Sequence, residues 1–283
     1  MTMRQYTEQQ DKTPICSVCI ANFNGQDVIG SAIDSVIDQN AGFPVEIIVH
    51  DDGSTDDSVS YLEKYYPDVN LIVSPNNVGY CVSNNRMASR ANGHYLLFLN
   101  NDACLFPGAL QILHDYAESL ETPAILGLPQ YDMETGDLID IGSVFDPFLN
   151  PIPNKKSRRK DVGMVIGACL WIPKSLWHDL GGFPEWFHTL AEDMYLCTLA
   201  RVQGYPVTAL STSGYRHWVG RSIGGGRINQ GRLVTTYRRR YYSERNKTYV
   251  MALCYPHLMF YLLIPLHIQT TLKYVIFRST NAF

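Results

Sequence analysis

The sequence lacks several features that mark common classes of protein. No uninterrupted apolar run reaches the ~18–20 residues that a bilayer-spanning helix needs. Basic residues do not outnumber acidic ones, 23 Lys and Arg against 27 Asp and Glu, so the charge balance gives no reason to expect a nucleic-acid partner. The start shows no signal-peptide pattern, and the seven cysteines are scattered and odd in number. We therefore expect free thiols in a reducing cytoplasm.

Strand and helix patterns alternate over the first hundred residues. Continuous apolar runs predict buried strands over 15–21, 45–50, 69–73 and 95–99, and helical spacing predicts helices over 27–39, 58–65 and 82–91. Beyond them we expect strands over 124–128 and 164–173 and helices over 107–119, 175–180 and 190–203. This order predicts an α/β fold with a mostly parallel central sheet and helices on both faces.

Two other patterns have ordinary explanations. Cys16 and Cys19 form a CxxC pair, but residues three apart on a strand point to opposite faces, so we interpret both as core residues. Residues 142–162 interrupt the strand-helix alternation with three prolines and a basic cluster at 155–160, which predicts a mobile loop. The loop is either a solvated charge run or a contact for a phosphate-bearing substrate or an anionic membrane.

Polar residues follow two of the predicted strands at the point where each strand ends. Asn100, Asn101 and Asp102 follow one buried run, and Asp51 and Asp52 follow another. Ligand sites of open α/β sheets lie at this edge. There a carboxylate such as Asp102 can hold a divalent cation, and the pair at 51–52 can accept hydrogen bonds from a base or ribose. The alternatives are an Asn/Asp turn at 100–102 and a helix N-cap before 58.

The chain resembles the family-2 glycosyltransferases with a GT-A fold. Several motifs carry the resemblance, in this order along the chain: SVCIANFN (17–24), EIIVHDDGSTD (46–56), NVGY (77–80), NNR (84–86), LFLNND (97–102), GAC (167–169), GGF (181–183), ED (192–193), HWVGRS (217–222) and RN (245–246). The element at 217–222 is similar to that of rhamnosyltransferase-like members. The match covers about residues 14–250, so the resemblance implies a GT-A fold with a C-terminal helical tail.

The resemblance implies a role for each matching residue. The nucleotide of a sugar donor would be bound by Ala21, Phe23, Asn24, Asp51, Asp52, Asn77, Gly79, Arg86 and Asn101. Mg²⁺ or Mn²⁺ would be held by Asp102 and by His217, which would contact the metal or the diphosphate. Asp193 would be the general base, with Glu192 as its nearest competitor. The acceptor side would comprise Gly167, Trp186, Glu192, Trp218 and Arg221.

Two positions depart from the family pattern. Position 100 is Asn where many relatives have Asp, and an amide is a weaker ligand for a hard cation. Position 195 is Tyr where a second acidic residue is common, which affects acceptor recognition. The resemblance implies an inverting transfer of a sugar from dTDP-L-rhamnose or a UDP-sugar to a glycan or lipid-linked acceptor, in bacterial surface polysaccharide synthesis. The alternatives are a catalytically weak nucleotide-sugar binding module and a nucleotidyltransferase.

The C-terminal segment is apolar and aromatic from residue 249 onward. Pro256 and Pro265 interrupt it, so we expect two short helices. These either lie on the inner face of the cell membrane or form a core or homodimer contact. We expect a glycosyltransferase domain over 1–248, with a nucleotide-binding half over 14–105 and an acceptor-binding half over 106–230, followed by the tail over 249–283.

Overall fold

The strands and helices follow the predicted alternation closely. The computed structural model describes residues 13–279 apart from 219, 221–224 and 230–231. Its strands are β1 (Cys16–Asn22), β2 (Val45–Asp51), β3 (Asn70–Val73), β4 (Tyr95–Leu99), β5 (Ala103–Leu105), β6 (Ile125–Gly127), β7 (Gln130–Asp132), β8 (Leu138–Asp140), β9 (Ser143–Phe145), β10 (Pro151–Pro153), β11 (Cys169–Pro173), β12 (Val207–Ala209), β13 (Tyr215–His217), β14 (Gly225–Asn229) and β15 (Arg232–Thr235). Its helices are α1 (Gln26–Ile37), α2 (Ser58–Tyr65), α3 (Tyr80–Arg90), α4 (Ala109–Glu118), α5 (Lys174–Leu180), α6 (Glu192–Val202), α7 (Tyr237–Cys254) and α8 (His257–Ser279), with a 3-10 turn over Glu185–Phe187.

The central sheet has seven strands in the order β12-β6-β11-β4-β1-β2-β3. Only β11 runs antiparallel to its two neighbours, and the other neighbouring pairs are parallel. A mostly parallel sheet is covered on both faces, and two separate apolar clusters pack against this one. Cys19 belongs to one cluster and Cys16 to the other, which confirms that the CxxC pair points to opposite faces. All seven cysteines are free.

A smaller sheet lies beside the edge of the central one and has the order β5-β13-β7-β8. Its antiparallel pairing of β13 with β5 places His217 opposite Ala103, the residue after Asp102. This sheet therefore brings the end of β13 to the end of β4, although the two strands are far apart in sequence.

The region predicted as a mobile loop contains regular structure. β9 and β10 pair as an antiparallel hairpin within residues 142–162, and the exposed basic cluster follows that hairpin. The strand predicted over 164–173 begins only at Cys169. The backbone N–H of Gly167 donates to Asp193 instead of to a neighbouring strand. The hydrogen-bonded pairing of β11 with its neighbours therefore starts after Gly167.

The C-terminal helices meet at Pro256, as predicted, but Pro265 lies inside α8 and does not end it. An internal proline removes one helical hydrogen bond, and the turn before it is exposed at Tyr261, where water can satisfy the freed carbonyl. The tail boundary predicted at residue 248 falls within α7. No helix among the described residues is both long enough and apolar enough to cross a bilayer.

Candidate active site

The polar residues predicted to share an edge of the sheet do lie together there. β1, β2 and β4 are parallel, so Asn22, Asp51 and Asn100 emerge side by side at their carboxyl ends. The antiparallel strand β11 brings its preceding residues to the same edge, where the N–H of Asn100 donates to the carbonyl of Ala168 over 3.1 Å. The edge is thus built from residues of both predicted halves of the domain.

Asp51 and Asp52 hold the turns around this edge. The carboxylate of Asp51 is fully buried and accepts hydrogen bonds from Asn22 (3.0 Å) and from the backbone and hydroxyl of Ser54 (2.9 and 2.7 Å). Asp52 accepts from the N–H groups of Val78 (2.7 Å) and Gly79 (2.9 Å). Both carboxylates therefore stabilise the loops that surround the predicted nucleotide pocket.

The loop after β1 presents the other predicted nucleotide residues. Asn24 has a left-handed φ of 49°, and its Oδ1 accepts from the N–H of Thr55 over 2.7 Å. Ala21 is half-buried, whereas the Phe23 ring is exposed and free to stack on a ligand. Asn101 donates to Asn22 over 2.8 Å. A Cβ at Gly25 would lie 2.2 Å from the Asn101 amide and 2.4 Å from Oδ1 of Asn22, so a side chain there would displace this hydrogen bond.

The remaining predicted nucleotide residues differ in how close they come to this edge. Asn77 is exposed, and Gly79 has a φ of 95° and packs so tightly that a Cβ would lie 2.2 Å from His188. Arg86 donates to Ser74 after β3 over 2.6 Å and contacts His50 at 3.4 Å. The guanidinium is thus engaged at the β2–β3 side, and it does not contact Asp102 or His217.

Asp102 and His217 meet at the centre of the edge. Oδ1 of Asp102 lies 3.1 Å from Nε2 of His217, yet it makes no hydrogen bond of good geometry within the described part of the chain. The same Nε2 lies 3.2 Å from the amide nitrogen of Asn100. No group of three or more His, Cys, Asp or Glu that could hold a metal ion occurs among the described residues. The third polar group beside Asp102 and His217 is Asn100.

His217 has a second buried amide partner, Gln130, that the sequence did not single out. Oε1 of Gln130 accepts from the Tyr215 hydroxyl over 3.1 Å, so the amide N–H₂ of Gln130 faces Nδ1 of His217 at 3.3 Å. The amide nitrogen of Asn100 faces Nε2 in the same way, at 3.2 Å. A neutral imidazole has one donor and one acceptor nitrogen, so only one of these two amides can donate to the ring.

A short chain of hydrogen bonds joins this cluster to the predicted base. The Tyr80 hydroxyl lies 3.2 Å from both the Asn100 amide oxygen and the Gly167 carbonyl. The N–H of Gly167 donates to Oδ2 of Asp193 over 2.9 Å. Asn100 thus bridges Tyr80 and His217 as both donor and acceptor, which an ionised Asp, lacking a proton to donate, could not do. This bridge gives a physical reason for the amide at position 100.

Asp193 and Glu192 begin α6 in a largely apolar setting. Burial raises the pKa of both carboxyl groups, and the neighbouring charge of Asp193 raises the pKa of Glu192 further. Glu192 is buried, and its Oε2 has no hydrogen-bond partner among the described residues, whereas Asp193 is half-buried. Arg239 of α7 interacts electrostatically with both carboxylates, and burial lowers its pKa. Of the two acids, Asp193 is the one with access to the site.

The structure places two of the remaining predicted acceptor-side residues, Trp186 and Trp218, at different points. Trp186 is exposed and packs edge-on against Tyr249 with ring centroids 4.7 Å apart. The N–H of Trp218 donates to the carbonyl of Asp102 over 3.1 Å. Arg221 lies outside the described residues, as do positions 219 and 222 of the same motif. Tyr80, Gln130 and Arg239 were missed by sequence reasoning, although Tyr80 lies in a motif that carried the resemblance.

Comparison with known proteins assigns the chain to one family. The model of glycosyl transferase family 2 matches residues 17–181, more than half of the chain. This chain belongs to glycosyltransferase family 2. Its fold is similar to that of TarS residues 1–349 from S. aureus in complex with UDP-GlcNAc, with a TM-score of 0.60 and 19% identity over 86% of this chain and 68% of that one. The fold is therefore GT-A, as predicted.

Other relatives match over shorter stretches. Hyaluronan synthase of Pasteurella multocida is 26% identical over 66% of this chain, and this chain spans only 19% of its length. N-acetylglucosaminyl-diphospho-decaprenol L-rhamnosyltransferase of Mycobacterium tuberculosis is 27% identical over 54% of this chain and 60% of its own. A mannosyltransferase from Pyrobaculum calidifontis in complex with GDP-Man and Mn²⁺ has a TM-score of 0.56 at 17% identity, over 77% of this chain and 64% of that one.

Proposed function

We propose that this chain is an inverting glycosyltransferase of bacterial surface polysaccharide synthesis. It moves a sugar from dTDP-L-rhamnose or a UDP-sugar to a hydroxyl group of a glycan or lipid-linked acceptor. One observation carries this proposal, namely the hydrogen bonds through Gly167 and Tyr80 that hold Asp193 at the same edge as Asp102 and His217. The carboxylate of Asp193, which can remove a proton, then lies at the same edge as Asp102 and His217, which are suited to a diphosphate.

The nucleotide binds at the carboxyl ends of β1 and β2. The exposed ring of Phe23 offers a face for the base, and Asn24 and Asn77 offer exposed amides. Asp51 contributes through the turn that it holds, since it is 0% exposed, whereas Asp52 is 4% exposed. Each oxygen of Asp52 accepts one backbone N–H and keeps a lone pair for a ribose hydroxyl or a base N–H.

Asp102 and His217 have the character expected of ligands for Mg²⁺ or Mn²⁺. The support is the buried Oδ1 of Asp102, which has no hydrogen-bond partner among the described residues and faces Nε2 of His217. Hard cations prefer such carboxylate oxygens. A bound cation would offset the negative charge that grows on the diphosphate leaving group. For Nε2 to act as a ligand, the His217 proton must lie on Nδ1 and the Gln130 amide must turn its oxygen toward it.

Asp193 acts as the general base. The N–H groups of Gly167 and Met194 orient its two oxygens at 2.9 and 2.7 Å. Burial raises its pKa, which strengthens the carboxylate as a base. Asp193 takes the proton of the acceptor hydroxyl while that oxygen attacks the anomeric carbon. The bond from that carbon to the phosphate oxygen breaks, its electron pair leaves with the nucleoside diphosphate, and the anomeric centre inverts.

The two C-terminal helices provide a surface for the inner face of the cell membrane. Exposed apolar side chains cover them at Tyr237, Tyr241, Leu253, Leu258, Met259, Tyr261, Leu262, Leu266 and Ile268. Residues 237–279 carry seven Lys or Arg and one acidic residue, whereas the whole chain has a net charge of −4. Apolar and basic side chains together favour an anionic lipid surface. Trp186 packs on Tyr249 of α7, so the acceptor side lies next to this surface, as a lipid-linked acceptor requires.

The function is tested first without choosing a donor. Purified protein with Mn²⁺ is heated in the presence of dTDP-L-rhamnose, UDP-glucose, UDP-GlcNAc or GDP-mannose, and we expect one dTDP- or UDP-sugar to raise the melting temperature. That donor is then supplied with a synthetic polyprenyl-diphosphate sugar, and NMR reports the anomeric configuration of the product. Donor binding without transfer would indicate a binding module. Release of inorganic pyrophosphate in a separate assay, with a nucleoside triphosphate and a sugar 1-phosphate supplied together, would indicate a nucleotidyltransferase.

A further inference from the structure

The loop that leads into α6 has an unusual backbone. His188, Leu190 and Ala191 have φ angles of 66°, 67° and 63°, in the left-handed region that residues with a Cβ rarely adopt. Such a conformation persists only where surrounding contacts hold it in place. Because Asp193 comes directly after this loop, the contacts that hold the loop also determine where the Asp193 carboxylate lies.

Asn246 of α7 makes those contacts. Its side chain is fully buried, and its Nδ2 lies 3.1, 2.9 and 2.7 Å from the carbonyl oxygens of Phe187, Thr189 and Leu190. Carbonyl oxygens can only accept hydrogen bonds, so the amide nitrogen must face them. The two N–H bonds of the Asn246 amide are shared among these three carbonyl groups, so a single side chain holds the loop.

Arg245 fixes the orientation of that amide. Its Nε donates to Oδ1 of Asn246 over 2.9 Å, and its Nη2 donates to the carbonyl of Phe187 over 2.9 Å. The guanidinium also lies over the ring of Tyr242, 4.8 Å from the centroid. With Oδ1 engaged by a cation, Asn246 cannot rotate without losing a charge-assisted hydrogen bond.

The far side of the loop is joined to the donor half of the site. The carbonyl of His188 accepts from the N–H of Cys81 in α3 over 3.2 Å. The carbonyl of Ala191 accepts from the N–H of Tyr195 over 2.9 Å, which is the first helical hydrogen bond of α6. A shift of the loop is therefore transmitted to the first turn of α6, where Asp193 contacts Gly167.

We propose that Arg245 and Asn246 are positioning residues, which hold the carbonyl groups of residues 186–190 so that the left-handed loop places Asp193 at the reacting hydroxyl. This inference rests on the proposed function, because it takes Asp193 to be the base. A contact that merely packs α7 against the core would affect stability alone. A positioning contact also affects turnover and the protonation of Asp193, so the two roles can be separated by experiment.

The test compares Asn246→Asp with Tyr255→Phe. Asn246→Asp keeps the shape of the side chain but places carboxylate oxygens against the three carbonyls. Tyr255→Phe is the matched control, because it removes a hydrogen bond from the end of α7 to a different loop, at the carbonyl of Pro147 (3.1 Å). We expect Asn246→Asp to lower kcat by about 100-fold, the cost of misplacing a catalytic group by ~1 Å. The donor KM should stay within about twofold, and Tyr255→Phe should leave both constants unchanged.

The pH dependence of kcat in Asn246→Asp separates a positioning role of Asn246 from an effect on stability alone. Burial raises the pKa of Asp193, so a loosened loop that admits water should move the acidic limb of the kcat profile to lower pH. The titratable groups that interact with Asp193 are Glu192, Cys197, Tyr80, Cys81, Tyr215 and Arg239, and Asn246→Asp changes none of them. The carboxylate that it adds would raise the pKa of Asp193, so a shift to lower pH reports the loosened loop. A loss of stability with an unmoved acidic limb and an unchanged kcat would overturn the proposal.

Hydrogen exchange tests whether Arg245 and Asn246 hold the loop before α6, even if the wild-type protein transfers no sugar. We expect Asn246→Asp to lose protection in amides 188–195, and Tyr255→Phe to keep it. Should Asn246→Asp not fold, Arg245→Lys, which keeps the charge but loses the fork of donors, should show a smaller loss over the same amides. Full protection of these amides in a folded variant would refute the positioning role of Arg245 and Asn246. An inactive wild type would refute only the proposed function.

Discussion

Oδ1 of Asp102 lies 3.1 Å from Nε2 of His217, which joins the end of β4 to the end of β13. The contact exists because β13 pairs with β5 in a register that puts His217 opposite Ala103. On its other side, the His217 ring meets the amide of Gln130 at 3.3 Å. The proposed binding of a metal or diphosphate at this point would therefore depend on which imidazole nitrogen carries the proton.

Replacing Gln130 with Glu should strengthen binding of Mn²⁺. A carboxylate can only accept, so it should draw the His217 proton to Nδ1 and leave Nε2 free as a ligand. Partners behind a ligating histidine typically change metal affinity by about 10–100-fold, and we expect about a tenfold gain by isothermal titration with Mn²⁺. Gln130→Leu, which offers no acceptor, should show no gain. Equal affinities in the two variants would contradict the tautomer argument.

Asp102→Ala should abolish the dependence of nucleotide binding on metal. The variant loses the carboxylate whose Oδ1 is buried without a hydrogen-bond partner among the described residues, so Mn²⁺ loses its proposed anionic ligand beside His217. Titrations of UDP and dTDP with Mn²⁺ and with EDTA should give the same Kd in the variant and different values in the wild type. If the wild-type Kd is the same in both buffers, Asp102 does not hold a metal.

Asp193→Asn should abolish transfer while donor binding persists. The amide keeps the side-chain shape and can still accept from the N–H of Gly167, but it cannot take a proton. Loss of a general base typically costs about 10²–10⁴-fold in rate. Turnover is measured by product formation and donor affinity by thermal shift. Glu192→Gln is the neighbouring control, and turnover near the wild-type level in Asp193→Asn would exclude this base.

Glu192→Gln should make the protein less sensitive to rising pH. Burial and the charge of Asp193 raise the pKa of Glu192 in the folded state above its usual value of 4.5. The folded state then binds more protons than the unfolded state, so stability falls as pH rises through this window. As pH rises from 5 to 8, the free energy of unfolding of the variant should increase relative to that of the wild type. We expect this increase to be about 1.4 kcal/mol for each unit by which the pKa is raised. Urea unfolding at both pH values measures the difference, and parallel curves would contradict it.

Serine substitutions at Leu258, Tyr261 and Leu262 should weaken membrane association. These side chains are 72%, 69% and 64% exposed on α8, and losing one buried apolar side chain costs about 1.5–3 kcal/mol. We expect at least a tenfold loss of sedimentation with phosphatidylglycerol vesicles. Serines at the exposed residues Tyr65, Val73 and Val202, far from α8 in sequence, should have no effect. Wild-type protein that stays in the supernatant and sediments as a dimer would assign this face to a protein contact.

The residues at the strand ends were predictable, whereas their partners were not. An apolar run that stops at Asn100 predicts both a strand and a polar sheet edge, because period and burial are local properties. Tyr80 and Gln130 carry no such signal, since a single tyrosine or glutamine is compatible with many environments. The hairpin within residues 142–162 was also missed, because a loop rich in proline and charge can still pair at two short strands.

The amino-acid sequence by itself determined the alternation of strands and helices, the parallel sheet and the placement of Asp51 and Asn100 at its carboxyl edge. These follow from patterns within segments of ten to twenty residues. Only the tertiary structure decided that Asp193 meets Gly167 and that Asn246 holds the loop before α6. Those contacts join segments far apart in the chain, and they depend on strand order and helix packing, which no local pattern of residues specifies.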